Sequence, residues 1–298
     1  MKRKATWTTV LLVLFAAALA AQAQEQYLDA YIAQVKPEKR AEFDAISKKM
    51  IAANHQNKGD EWLAIETAYG PMNRVTFISM RNSYGDVEQA SNAFYAALQK
   101  SLGAAGAEKL FQDFNQTLVS SRSELRRRRT DLSSNPPADA AGLAKLLGET
   151  RWLRTAVVHV KPGQTAAFEA LLKDVKAARD KATPPITTLI SLAVAGQEGT
   201  VFYVTTPQTS MAGFDKVPTL QEVLGEEGYA RFLKTSGDVI EGVETVISRF
   251  VPELSNPPAD IVAAAPEYWQ PKPAVAKAAA PKKSVVNAAE NTKMEEKK

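Results

Sequence analysis

The sequence predicts an α+β protein built from two tandem β-α-β-β-α-β units. Three observations predict it. Val35-Lys36-Pro37, followed by Phe43, Ile46 and Met50, is matched by Val160-Lys161-Pro162, followed by Phe168, Leu171 and Val175 at the same spacings. Each copy closes on a shared phrase, Leu132-Ser133-Ser134-Asn135-Pro136-Pro137-Ala138-Asp139 and Leu254-Ser255-Asn256-Pro257-Pro258-Ala259-Asp260. The copies keep their order at offsets of 125 and 122. This is a duplication of a unit of about 110 residues, a normal single-domain size.

The elements follow in order. Tyr27 to Val35 and Trp152 to Val160 read as first strands. Pro37 and Pro162 then stand where a helix begins, a position that tolerates proline. Phe43, Ile46 and Met50, like Phe168, Leu171 and Val175, recur every three or four residues, which marks an amphipathic helix. Two short runs rich in β-branched and aromatic residues follow in each copy: Trp62 to Tyr69 and Val75 to Met80, then Ile186 to Val194 and Thr200 to Thr205. Gly70-Pro71-Met72-Asn73 and Ala195-Gly196-Gln197-Glu198-Gly199 join them as hairpin turns. A second helical region is broken near Gly103 and Gly225. The last strands fall at about Ser123 to Thr130 and Val243 to Val251, and Asn-Pro-Pro ends each unit.

A strand ending in Val-Lys-Pro-(Gly), before a helix with an early Phe, resembles the ferredoxin-like units of the dimeric α/β-barrel superfamily. That superfamily includes antibiotic-biosynthesis-monooxygenase-like, NIPSNAP-like and chlorite-dismutase-like proteins. The matching residues are Val160-Lys161-Pro162-Gly163 with Phe168, and Val35-Lys36-Pro37-Glu38 with Phe43. The resemblance implies sheet-on-sheet packing, here a pseudo-dimeric α/β barrel closed within one chain. Such folds host many chemistries, so it leaves the activity open.

The ends of the chain carry separate messages. Lys2, Arg3 and Lys4, an apolar run from Val10 to Ala21, and Ala21-Gln22-Ala23 fit a secretory signal peptide over residues 1–23. The expected location is periplasmic or secreted. The repeats then span 24–138 and 151–265, with a linker at 139–150 and an Ala-, Lys- and Pro-rich tail over 266–298. From about Pro271 that tail has almost no large apolar residues and reads as disordered. The formal charge is +4. Three of those positive charges lie in the signal and a net three in the tail, so the body is near −2. A nucleic-acid partner is therefore not expected, and no transmembrane segment is expected in the mature chain. An anionic envelope surface is a partner only through the tail. There is no Cys, hence no disulfide.

Strand alternation assigns faces. Leu28, Ala30 and Ile32, the plainer face, are expected to meet the helices, as is His159. Tyr27, Asp29 and Tyr31, with Trp152 and Arg154 in the second copy, are expected to line the space between the sheets. Trp62 and Glu66 are placed inward with them. Two readings stand. These seven residues line a cavity for a small amphipathic molecule, or Asp29 and Arg154 pair inside the barrel and hold the halves in register. The histidines, His55 and His159 alone, have no His, Cys or carboxylate at ligand spacing, so no metal or cofactor is expected. Arg126-Arg127-Arg128-Arg129 reads as a solvated or edge-protecting run. No GxSxG, P-loop, HExxH or CxxC occurs. The first functional reading is non-catalytic binding or a structural role. The alternatives are a monooxygenase-like enzyme, cofactor-free or haem-using, and an envelope-interaction protein working through its tail.

Overall fold

The computed structural model describes residues 26–270. The expected signal peptide and the tail beyond 270 lie outside the described residues. The first repeat runs β1 (Tyr27–Val35), α1 (Arg40–Asn57), β2 (Leu63–Tyr69), β3 (Arg74–Arg81), α2 (Tyr84–Gln116) and β4 (Leu118–Arg128). The linker is itself a helix, α3 (Ala140–Glu149). Its first turn is capped by Asp139, whose Oδ1 accepts from the Gly142 amide at 2.7 Å. The second repeat runs β5 (Trp152–Val160), α4 (Thr165–Arg179), β6 (Leu189–Ala195), β7 (Thr200–Gln208), α5 (Leu220–Val239) and β8 (Ile240–Phe250). Two short helices follow, α6 (Ala259–Ala264) and α7 (Pro266–Trp269). Trp269 is buried against Phe250, so ordered structure continues past the expected boundary at 265.

The eight strands close into one antiparallel barrel in the order β1-β3-β2-β8-β5-β7-β6-β4. Each repeat supplies four adjacent strands, and the seams between repeats are β2–β8 and β4–β6. The long helices break at Gly103 and Gly225, whose φ values of 73° and 71° suit a residue without Cβ. The last strands begin earlier than expected, at Leu118 and Ile240. At the first of these, α2 stops where Thr117 Oγ1 donates back to the Phe114 carbonyl at 2.6 Å.

The core has three parts. Phe43, Ile46, Met50, Leu98 and Phe114 of α1 and α2 pack on the outer face of the first repeat's sheet. Phe168, Leu171, Leu172 and Val239 do the same for the second. The third part is the barrel floor, where Ala144 of α3 and Ile261 of α6 meet Leu63, Ile65, Leu153 and Phe250.

The closing phrases join the repeats. Ser134 bridges to Thr188, and Asn256 bridges to Trp62, each at the entrance of the other repeat's second strand. Ser133 Oγ accepts from the Ile190 amide at 2.9 Å, and Ser255 Oγ accepts from the Ala64 amide at 2.8 Å. The repeated motif is thus a reciprocal clasp.

Candidate functional site in the barrel

The barrel encloses a cavity of about 390 Å³. Its walls carry the even-numbered residues of β1 and β4 and the odd-numbered residues of β2, β5 and β7. Leu28, Ile32, Leu63, Leu153 and Tyr203 all line it. The expected face assignment is therefore inverted. Leu28, Ala30 and Ile32 turn inward, where short aliphatic side chains leave space in an eight-stranded barrel wide enough for one small ligand. The aromatic residues fill the wider gap beneath the helices. Tyr27 packs at a tilt against Tyr84 of α2 with centroids 5.2 Å apart, and Tyr31 lies 6.3 Å from Phe114.

The other expected site residues, Trp62 excepted, also sit on the outer, helix-facing side. Asp29 meets Arg81 at 3.6 Å, and the same guanidinium reaches Asp60 at 2.6 Å. Burial raises the Asp29 carboxyl above its usual range despite Arg81. Glu66 pairs with Arg40 of α1 and with Arg249. Trp152 is half-buried on the outer face, and Arg154 lies over the Phe214 ring, 5.5 Å from its centroid. Asp29 and Arg154 do not meet: β1 and β5 stand four strands apart around the barrel. Of the seven, Trp62 alone borders the cavity among the described residues, while its indole donates to the Leu254 carbonyl at 2.9 Å. His159 also turns inward rather than toward the helices, at the exposed rim beside Arg74, Arg122 and Glu244.

The polar wall of the cavity comes from residues that sequence reasoning missed. Arg122, Glu124, Arg126 and Arg128 alternate along β4; the Glu124 side chain is fully buried, and the three arginines line the cavity. Glu124, 1 % exposed as a residue, is the centre. Its Oε1 accepts from Arg122 and Gln197, both at 2.7 Å. Its Oε2 accepts from Arg126 Nε at 2.8 Å, Arg126 Nη2 at 2.6 Å and the Tyr203 hydroxyl at 2.7 Å. Gln197 also donates to the Tyr203 oxygen at 3.0 Å, and the Arg126 guanidinium stacks 3.6 Å from the Tyr203 ring centroid. Burial favours the neutral acid, but the Arg126 charge and the bonds from Tyr203, Arg122 and Arg126 win and hold Glu124 below its usual range. Burial, reinforced by Glu124, pushes the Tyr203 phenol up to about 12. Arg128 donates to Gln26, and burial lowers its titration.

The arginine run is therefore not an edge. β4 is paired on both sides, with β1 and β6, and Arg126 and Arg128 point into the cavity. Arg129 instead clamps Asp131 at 2.7 Å and Glu169 of α4. The signal that could have found the wall is the alternation Arg122-x-Glu124-x-Arg126-x-Arg128, a charged face on a strand whose neighbours are apolar.

The buried part of the opposite wall is apolar. At the offset of 122, Arg122, Glu124, Arg126 and Arg128 become Glu244, Val246, Ser248 and Phe250 of β8. All four of these line the cavity, and β8 stands across the barrel from β4. Leu143 and Leu147 of α3, with Ile261 of α6, line the floor.

An anthrone oxidase-like protein of solved structure shares the fold, with a TM-score of 0.50 and 14 % identity over 78 % of this chain and 93 % of that one. The fold is the dimeric α/β barrel. Here both halves of the barrel lie in one chain. A haem-binding protein from Thermus thermophilus aligns at a TM-score of 0.43 and 11 % identity, covering 78 % of this chain and 93 % of its own. A chlorite dismutase variant from Candidatus Nitrospira defluvii aligns at 0.42 and 12 %, covering 80 % and 95 %. No protein-family model and no curated protein matches this sequence.

The donors of this cavity do not fit a haem, which needs an axial ligand inside an enclosed pocket. His159 is exposed at the rim, and Tyr203 keeps its proton for Glu124. His55 is exposed in the last turn of α1. Among the described residues, no three His, Asp or Glu side chains gather as a metal site.

Proposed function

We propose that this is an exported protein whose barrel binds a small amphipathic molecule without transforming it. One observation carries the reading: of two equivalent strands, β4 presents a charged wall to the cavity and the buried part of β8 an apolar one. Arg122, Glu124, Arg126 and Arg128 offer a polar wall; Val246 and Phe250, with the floor leucines, offer an apolar one. Apolar lining with a few convergent polar groups is the usual make-up of a small-molecule site. The excess of arginine over carboxylate on the polar wall favours an acidic or strongly hydrogen-accepting head group. The exposed rim at Arg74, Arg122, His159 and Glu244 is the entrance, because α3 and α6 cover the other end.

The chemistry of the polar wall favours binding over catalysis. A general base works best with a pKa near the operating pH. Glu124 lies below its ordinary range and already accepts five hydrogen bonds, while Tyr203 is pushed up to about 12. Neither exchanges a proton readily at neutral pH.

The test is mass spectrometry of small molecules extracted from the purified full chain, repeated on V246W. A tryptophan there fills the apolar side of the cavity. The expected result is an amphipathic compound in the native protein and its loss from V246W. An empty native protein that also ignores added amphipaths would overturn the reading.

A further inference from the structure

The helix-covered faces of the two repeats are built alike but carry opposite charge at one place. In the first repeat, Arg81 sits between Asp29 and Asp60. The strand registers fix the equivalents in the second. Tyr27 pairs with Arg81 and Trp152 with Gln208, so Arg154 stands where Asp29 stands and Gln208 where Arg81 stands. Near the end of the covering helix, Asn54 gives way to Arg179 at the offset of 125. A cluster of one arginine and two aspartates is thus replaced by two guanidinium groups.

Arg179 is 8 % exposed. Its Nη1 donates to Thr188 Oγ1 at 2.6 Å, and its buried Nε has no partner. Arg154 extends from β5 with its guanidinium over Phe214 of the 3-10 turn Met211–Lys216, 5.5 Å from the ring centroid. Thr206, also buried, pairs with Arg154 in register. Thr188 precedes Leu189, the partner of Thr205, so it falls at the same level on the next strand. Burial first, and then the Arg154 charge, lower the Arg179 titration. Among the described residues, no carboxylate pairs with either guanidinium. The nearby Asp180 turns away, to Lys176 at 2.7 Å and to the Asn135 amide at 3.1 Å.

Buried charge without a counter-charge is costly, and a buried donor without an acceptor adds to that cost. An oxyanion relieves both. Arginine forks match carboxylate and phosphate oxygens, and the threonine hydroxyls extend the donor set. We propose that Arg154 and Arg179 form an oxyanion site, holding a carboxylate or phosphate group between the end of α4 and the outer face of β5, β7 and β6. It lies outside the barrel cavity and does not depend on the proposed function.

The experiment titrates the full chain with inorganic phosphate and, separately, with acetate. Chloride holds the ionic strength constant, and melting temperature and calorimetry are the readouts. The expected result is a rise in melting temperature with at least one of the two anions. A response to phosphate identifies a phosphorylated ligand, and one to acetate identifies a carboxylate. R154Q should weaken binding roughly tenfold or more, as for a lost hydrogen bond to a charged group. R154D copies the acid of the first repeat and gives Arg179 an internal partner. It should melt at least as high as the native protein in chloride and lose the anion response. R122Q, in the barrel cavity, should keep that response. A native protein indifferent to both anions, or an R154D variant that responds as the native protein does, would overturn the proposal.

Discussion

Leu132 and Leu254 each lie in the core of the repeat to which they do not belong. Leu132, from the first repeat, is fully buried among Val158, Phe168 and Phe202 of the second. Leu254, from the second, is buried among Val35, Phe43 and Leu118 of the first. Ser133 and Ser255, the next residues, satisfy one strand amide each across the same two boundaries. The shared phrase thus marks the place where each repeat closes the other.

It follows that neither repeat should fold alone. The segment Gln24–Ala138 leaves β2 and β4 as open edges and Leu132 without its pocket. Expressed alone, it should associate, or melt without a cooperative transition. Sedimentation and a urea titration check this, and a well-behaved monomer with a sharp transition would count against it.

Within the intact chain, L132A and L254A should each cost about 2–5 kcal/mol, the range for removing a buried leucine side chain. S133A and S255A should cost less, about 1–3 kcal/mol, because each leaves one buried amide unsatisfied. Urea midpoints at a constant m value measure all four. Similar losses at equivalent positions are expected, since the two clasps make the same bonds.

The duplication, the order of elements in each repeat and the breaks at Gly103 and Gly225 are legible because each leaves a local mark that occurs twice. The faces of β1 were not. Leu28, Ala30 and Ile32 make one apolar face and Tyr27 and Tyr31 another, so alternation alone does not say which one the helices cover. The size of the gap decides, and that is a tertiary quantity. Glu124 falls within the strand expected from Ser123, but a lone acid beside four arginines carries no local mark of burial. The partner that identifies it, Tyr203, comes from the other repeat.

Asp29 should couple to Arg81 and not to Arg154. D29L with R81M should give a non-additive change, because the two side chains share one ion-pair cluster with Asp60. D29L with R154M should be additive within about 0.5 kcal/mol, because the residues stand on opposite sides of the barrel. Double-mutant cycles from thermal melts decide. Coupling in the second pair would show that β1 and β5 are closer than the barrel order allows.

The floor should be intolerant at Gly148. A Cβ there would lie 2.5 Å from Ala264 Cβ and 2.7 Å from the Ile261 carbonyl oxygen. The Trp269 indole also donates to the Gly148 carbonyl at 3.0 Å. G148V should therefore push α3 and α6 apart and cost at least about 1–3 kcal/mol. Loss of the buried Trp269 fluorescence signal would report the movement directly, and an unchanged melt with unchanged fluorescence would oppose it.

The polar wall predicts stability limits at both ends of the pH scale. The folded value of Glu124 lies below its unfolded value, near 4.5. Its contribution is therefore complete above that range and is lost as pH falls through the depressed folded value. Tyr203 behaves oppositely. Its folded value, about 12, lies above the ordinary 10, so its contribution holds below pH 10 and is lost as pH rises toward 12. E124Q leaves Arg122 and Arg126 without their acid and should cost about 3–5 kcal/mol at pH 7. At pH 3 the native protein has begun to lose the same interaction, so the gap between the two proteins should narrow. Asp131, Glu169 and the other depressed carboxylates are common to both proteins and cancel in the difference. Y203F should show the matching effect on the alkaline limb, with a gap that closes between pH 10 and 12. Denaturant melts across the pH range give both curves. A gap between native protein and E124Q that is the same at pH 3 and pH 7 would mean that Glu124 is not the ionised centre of the wall.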